Sequence, residues 1–309
     1  MIMKPGMSCA ARFIANQFQN TECWRTISTS TRACFPAIIF DRKAKEHHRN
    51  TAGQRLDSSL YDYVKEEVGW RVADRVFDIK RQFGTVLDLG CGKGYVLKHF
   101  DKDMVENVVA CEMSSSLLAA AQCLEDVSLQ KINFDEEELQ LEDSSVDLVT
   151  SSLSLHWVND LPGCFGRVLA CLRPDSAFVG AMLGGDTLYQ LRCALQLASL
   201  ERDGDVDAIT VGYPSMFELM WDLQGMAENN AAVNRTLRLN RDTMLAAAAI
   251  YQEMYGSVDE QSGEVSVPAT FEVLHFIAWK PGASQPRPLE RGSGTVSLKD
   301  LGSVIGGAS

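Results

Sequence analysis

The run Thr85-Val86-Leu87-Asp88-Leu89-Gly90-Cys91-Gly92-Lys93-Gly94 constrains this chain more than any other. An apolar stretch closes on an acid, three glycines follow at alternating positions, and residues 95–100 read as a helix. Residues 86–89 have the make-up of a buried strand. Without Cβ atoms the backbone after them can turn sharply and admit a ligand closely. A helix N-terminus just beyond would add free N–H groups and a favourable dipole. A glycine triplet alone also suits a tight turn that holds nothing. Here it has a partner: the next apolar run, Val108-Val109-Ala110-Cys111, ends in Glu112, 22 residues after Gly90. An acid at the tip of a second parallel strand can hold both hydroxyls of a ribose.

The Gly-x-Gly-x-Gly spacing differs from the dinucleotide form. With Asp88 in front, it resembles motif I of the class I S-adenosylmethionine-dependent methyltransferases. In that family the loop passes beneath a methionine moiety and a ribose. The resemblance implies S-adenosyl-L-methionine as cofactor.

The surrounding pattern fits. Strands are expected at 86–89, 107–111, 127–133, 146–152 and 176–183, with helices at 94–100, 114–124 and 160–172. Such alternation predicts an α/β fold with a doubly wound, mostly parallel, Rossmann-like sheet. Ligands of such sheets sit beyond the carboxyl ends of the strands. Gly90, Gly92, Gly94, Glu112, Asp135 and Ser151 all fall there, and together with Asp88 they form the candidate cofactor set. Asp135 would accept a hydrogen bond from the exocyclic amine of adenine, or belong to a solvated acidic run, Asp135-Glu136-Glu137-Glu138.

Before the first strand, residues 56–83 carry Leu60, Tyr63, Val64, Val68, Val72, Val76 and Phe77 at helical steps, predicting one apolar helix face. Residues 40–53 are dense in charge and read as a solvated linker or helix start. After 184 the alternation stops. Helices are expected at 186–201, 215–228 and 240–256, and strands at 206–213 and 270–279, the last as an antiparallel edge strand. This half predicts a helical cap. The chain thus divides into a leader (1–40), a cofactor core (41–184), a cap with closing strands (185–280) and a Gly-, Ser- and Pro-rich tail (281–309).

Charge sharpens the reading. The chain totals −12, yet residues 1–40 hold Lys4, Arg12, Arg25 and Arg32 against Glu22, leaving −15 on the rest. An acidic body disfavours nucleic acid and attracts basic partners. A leader rich in Ser, Thr and Arg, without an apolar block, fits a mitochondrial transit peptide. No stretch is apolar for the ~18 residues that a bilayer span needs. Peripheral membrane contact stays open. Nine cysteines without paired short spacing predict neither a disulfide framework nor a zinc site.

Two further stretches narrow the family. They are Ser151-Ser152-Leu153-Ser154-Leu155-His156-Trp157-Val158-Asn159-Asp160 and Gly184-Gly185-Asp186-Thr187-Leu188-Tyr189. With 61–79, 241–255 and 267–280, they resemble the mitochondrial complex I assembly factors of methyltransferase fold described as arginine hydroxylases. The resemblance implies a peripheral protein on the matrix side of the inner membrane that binds S-adenosylmethionine. Its substrate would be an arginine on the quinone-site subunit of NADH dehydrogenase. The Ser-Leu-His-Trp words also resemble the malonyl-carrier-protein methyltransferases. The chain departs from the assembly-factor pattern near 204–206, where a helix and half a strand are absent. That loss would bare one apolar face of the last strands.

Methyl transfer asks mainly for alignment in a dry pocket. His156 or Asp186 would serve as base where the acceptor must lose a proton; His156 would otherwise be a structural hydrogen-bonder. Hydroxylation needs an oxidant, commonly a non-haem iron held by two histidines and a carboxylate. His99 and Asp101 lie away from the cleft, so no metal ligands are assigned. Asp186, Glu218, Asp222 and Glu228 in the cap offer carboxylates to a guanidinium. A noncatalytic scaffold that keeps a relic cofactor pocket is the third class.

Overall fold

The computed structural model describes residues 38–185, 187–188, 207–235, 240–258, 265–283 and 285. Asp186, most of the expected 186–201 helix, the leader up to 37 and nearly all of the tail lie outside them.

Helix α1 (Arg42–Gln54) opens the described chain, and a 3-10 turn (Ser58–Tyr61) leads into α2 (Tyr63–Phe77). There follow β1 (Phe83–Leu89), β2 (Val105–Glu112), α3 (Ser115–Ala120), β3 (Ser128–Asn133), β4 (Val146–Ser152), α4 (Leu161–Cys171) and β5 (Leu172–Leu183). The later elements are β6 (Asp207–Tyr213), α5 (Met216–Gly225), α6 (Arg241–Tyr255), the short β7 (Ser257–Val258) and β8 (Val265–Trp279). The strands line up as β3-β2-β1-β4-β5-β8-β6. The first five run parallel, and β8 pairs antiparallel with both β5 and β6. The order reverses between β1 and β4, so the expected doubly wound sheet is present. β8 is antiparallel as expected but central, not an edge; β6 takes the edge.

The core explains the order. Val86, Val108, Ala110, Leu148 and Val179 face Val64, Val68, Val72 and Val76 of α2 in one buried cluster. On the opposite face, Leu87, Leu89, Val149 and Phe178 meet Cys164, Val168 and Cys171 on α4. Alternating strand residues thus feed two layers, which is why these strands read as near-continuous apolar runs.

Three local expectations are corrected. The expected 94–100 helix is a set of turns with a three-residue 3-10 segment, Leu97–His99. No α-helix N-terminus follows the glycines, so the dipole argument falls away there. The 56–83 helix shortens to α2, because the 3-10 turn Ser58–Tyr61 precedes it. The charge-dense 40–53 segment is no solvated linker: α1 buries Lys45, Arg49 and Ala52.

The last strands expose both kinds of side chain: Leu274, Ile277 and Trp279 of β8 are exposed apolar residues, whereas the β6 edge is different. On β6 the exposed residues are Ala208, Thr210 and Gly212, and across from them on β8 stand Glu272, Thr270 and Pro268. Small and polar side chains there keep the hydrophobic cost of exposure low.

Candidate functional site

The site lies beyond the carboxyl ends of β1 to β4. Gly90, Gly92 and Gly94 all adopt positive φ (73°, 56° and 85°), a region L side chains rarely occupy. A Cβ on Gly90 would stand 2.2 Å from Ser154 Oγ and 2.8 Å from Glu136 Oε1. The bend therefore exists so that the loop after β4 and the turn after β3 can close on it.

Glu112 ends β2 and is buried. Its Oε2 accepts from Gly92 N at 3.0 Å and its Oε1 from Ser114 N at 2.9 Å. The first two strand tips are thus joined through the carboxylate and the glycine backbone. Asp88, one strand residue before the bend, accepts from Thr150 Oγ1 at 2.8 Å, while its buried Oδ2 has no hydrogen-bond partner. Burial pushes its pKa up to about 7, against the opposing pull of Thr150. Ser151 is buried and donates to Leu89 O at 2.8 Å, tying β4 to β1. Asp135 caps the short turn Glu136–Glu138 by accepting from Glu137 N.

The residues that organise this cluster come from α1. Arg49 is 5% exposed. It donates through Nη1 to Glu112 (3.0 Å) and Glu136 (2.7 Å), and through Nη2 to Ser154 Oγ (2.8 Å). Two turns earlier, Arg42 holds both oxygens of Asp135 (2.6 and 3.1 Å), pairs with Glu136, and donates to Trp157 O. Burial alone would raise the Glu136 pKa; Arg49 and Arg42 beside it hold it well below the ordinary carboxylate range.

A second cluster adjoins it. Glu228, just past α5, accepts from Trp157 Nε1 (2.7 Å), His156 Nε2 (3.2 Å) and Lys45 Nζ (3.3 Å). Lys45 is fully buried, also donates to Ala227 O at 2.6 Å, and stands 3.9 Å over the Trp157 ring. Burial pushes Lys45 down to about 7, with Glu228 pulling the other way. Burial also lowers the His156 pKa, with Glu228 pulling the other way, which favours the neutral imidazole. With Nε2–H donated to Glu228, His156 Nδ1 is a lone pair with no partner. That is the arrangement of a base held by an orienting carboxylate.

Of the residues expected from sequence, Asp88, Gly90, Gly92, Glu112, Asp135 and His156 come together around α1. Gly94 faces Gln122, since a Cβ there would meet Gln122 O at 2.5 Å. The cap acids separate. Glu228 joins His156, Asp222 accepts from Tyr63 Oη (3.1 Å), and Glu218 accepts from Ser215 at the start of α5. Asp186 is outside the described residues. Among the described residues no three His, Cys, Asp or Glu side chains gather as a metal-ligand set, and the described cysteines are free.

Sequence reasoning missed Arg42, Lys45, Arg49, Glu136 and Ser154. The signal was present. Positions 42, 45, 49 and 52 repeat at the three- and four-residue steps of a core-facing helix stripe. Apolar periodicity is blind to it because three of the four are cations.

The backbone cradle and the acids suit an adenosyl cofactor in kind. Glu112 and Asp135 are the acids expected from sequence to hold a ribose and an adenine amine. As arranged, both carboxylates are already committed to guanidinium groups of α1, so in this conformation the residues do not fit the group.

Fold and site together define a methyltransferase-like α/β protein of class I. The family model described as a methyltransferase domain matches residues 87–180. A zebrafish (Danio rerio) protein named arginine-hydroxylase NDUFAF5, mitochondrial, is 47% identical over 86% of this chain and 90% of its own length. The human protein of that name is 45% identical, over 86% of this chain and 84% of its own length. A malonyl-[acyl-carrier protein] O-methyltransferase of Methylovorus is 26% identical over 82% of this chain. The chain belongs to the NDUFAF5 arginine-hydroxylase family.

Proposed function

We propose that this chain is a mitochondrial enzyme that modifies an arginine side chain on the quinone-site subunit of respiratory complex I during assembly. It would do so at the matrix side of the inner membrane, with S-adenosylmethionine bound beyond β1 and β2. The observation that carries the arginine reading is membership of the arginine-hydroxylase family, with relatives of that name 45–47% identical over most of the chain. No helix among the described residues is long and apolar enough to cross a membrane, so contact with the inner membrane would be peripheral.

The described residues bind, orient and exclude water. Glu228 fixes the His156 tautomer, leaving Nδ1 to accept a proton from the acceptor group. Inserting one oxygen of dioxygen into a substrate bond sends the second to water and consumes two electrons. Hydroxylation therefore requires a two-electron reductant beyond the side chains assigned here. Methyl transfer is the second reading, supported by the methyltransferase domain match. Mass analysis of the quinone-site subunit from cells with and without the protein separates the two. A gain of one oxygen on an arginine supports hydroxylation and a gain of one methyl supports transfer. An unmodified arginine in both cell types rejects the arginine reading.

A further inference from the structure

Helix α1 does more than cover the sheet. Its buried stripe places one guanidinium on each carboxylate that an adenosyl ligand would need: Arg42 on Asp135 and Arg49 on Glu112. Neither acid has another role that demands the cation. Asp135 is satisfied as a turn cap by Glu137 N, and Glu112 by the amides of Gly92 and Ser114.

We propose that α1 is a strap that closes the adenosine groove from within, and that S-adenosylmethionine enters by displacing Arg42 and Arg49 from Asp135 and Glu112. This rests on the reading that an adenosyl cofactor binds beyond β1 and β2. The strap is held at both ends by contacts outside the groove. At its start, Asn159 Oδ1 accepts from Ile39 N and Phe40 N (2.8 and 2.7 Å), and Asp41 pairs with Arg235 at 3.2 Å. Near its end, Ser116 Oγ meets Asn50 O and Oδ1 at 3.0 and 3.2 Å. Between these anchors Arg42 and Arg49 tie the helix to the groove by ion pairs, and buried Lys45 ties it to Glu228 and Ala227 O. A ligand competing for the same carboxylates therefore works directly against the closed form. The apparent affinity falls in proportion to how rarely the strap is open.

The test is a reversible lock on the strap's far anchor in the full chain, Asn50→Cys with Ser116→Cys, with S-adenosylmethionine binding measured by calorimetry. The oxidised protein should bind about ten-fold or more weakly than the same protein after reduction, while wild type under both treatments is unchanged. Equal binding by the oxidised and reduced forms overturns the strap and leaves the cofactor reading standing. Arg42→Gln carries the test where the disulfide does not form. It frees Asp135, so tighter binding than wild type is expected, and unchanged or weaker binding overturns the proposal. Absence of binding by wild type, reduced double variant and Arg42→Gln alike removes the cofactor reading, and the strap with it.

Discussion

Two neighbouring cations of α1's buried stripe, Arg49 and Lys45, hold carboxylates in different ways. At Arg49 the cation is permanent: a guanidinium does not lose its proton in a protein, so Glu112 and Glu136 stay paired at any working pH. At Lys45 the cation is conditional. Its ammonium is fully buried and its pKa falls to about 7, so the charge beside Glu228 comes and goes near neutrality. Glu228 does not depend on it alone, since Trp157 and His156 also donate to it. Arg49 ties the helix to Glu112 and Glu136, whereas Lys45 shares Glu228 with His156. A single helix therefore serves a static and a titrating site a turn apart.

The sharpest way to break this contrast is Arg49→Met. It takes the cation from buried Glu112 and leaves buried Glu136 with Arg42 alone; removing one partner of a buried pair costs about 3–5 kcal/mol. Denaturant unfolding at pH 7.5 should show that loss. A change under about 1 kcal/mol would mean that the acids are neutralised some other way. Next in size is Gly90→Ala. The positive φ alone costs ~1–2 kcal/mol for an L residue, and the new Cβ would drive into Ser154, 2.2 Å away. Stability and S-adenosylmethionine binding should fall together; binding that survives would displace the pocket from this bend.

Asp88→Asn should act in the opposite direction. The folded pKa of Asp88 is raised from 3.8 to about 7. Its contribution to stability is therefore full below the unfolded value and lost as pH climbs through about 7. An amide escapes that loss. The variant's advantage should grow from pH 5 to pH 7.5 and reach roughly 1–3 kcal/mol, measured by thermal unfolding across that range. A constant difference would mean that Asp88 is not protonated in the fold.

The smallest effect concerns Lys45. Folded it titrates near 7 and unfolded near 10.5, so the unfolded chain binds more protons between those values. Stability attributable to Lys45 should rise with pH above 7, by at most about 1.4 kcal/mol per unit. The window to read is pH 7 to ~8.5, before unfolded thiols ionise. Lys45→Met should lack the rise. If wild type and variant run parallel, Lys45 keeps its proton and the two positions are alike.

The sheet was legible in the sequence because strands buried on both faces write themselves as apolar runs. The glycine bend and Glu112 were legible because backbone geometry leaves few alternatives to glycine at positive φ. The covering helix was not. Lys45 and Arg49 look solvated in any scale that scores residues singly, and only the carboxylates they meet, far along the chain at Glu112, Glu136 and Glu228, make their burial tolerable. Glu136 was hidden for the converse reason, since an acidic run usually faces water and only one member of this one turns fully inward. The short turn in place of the 94–100 helix shows that apolar spacing cannot tell a helix from packed turns over six residues.

Glu112 and Asp135 would be the groups that an adenosyl ligand takes from α1. Calorimetry of S-adenosylmethionine with wild type and with Glu112→Gln, each confirmed folded by circular dichroism, tests that most directly. One-to-one binding by wild type that weakens at least ten-fold in the variant is the result expected for a lost bidentate ribose contact. Equal affinity in the two proteins would contradict it.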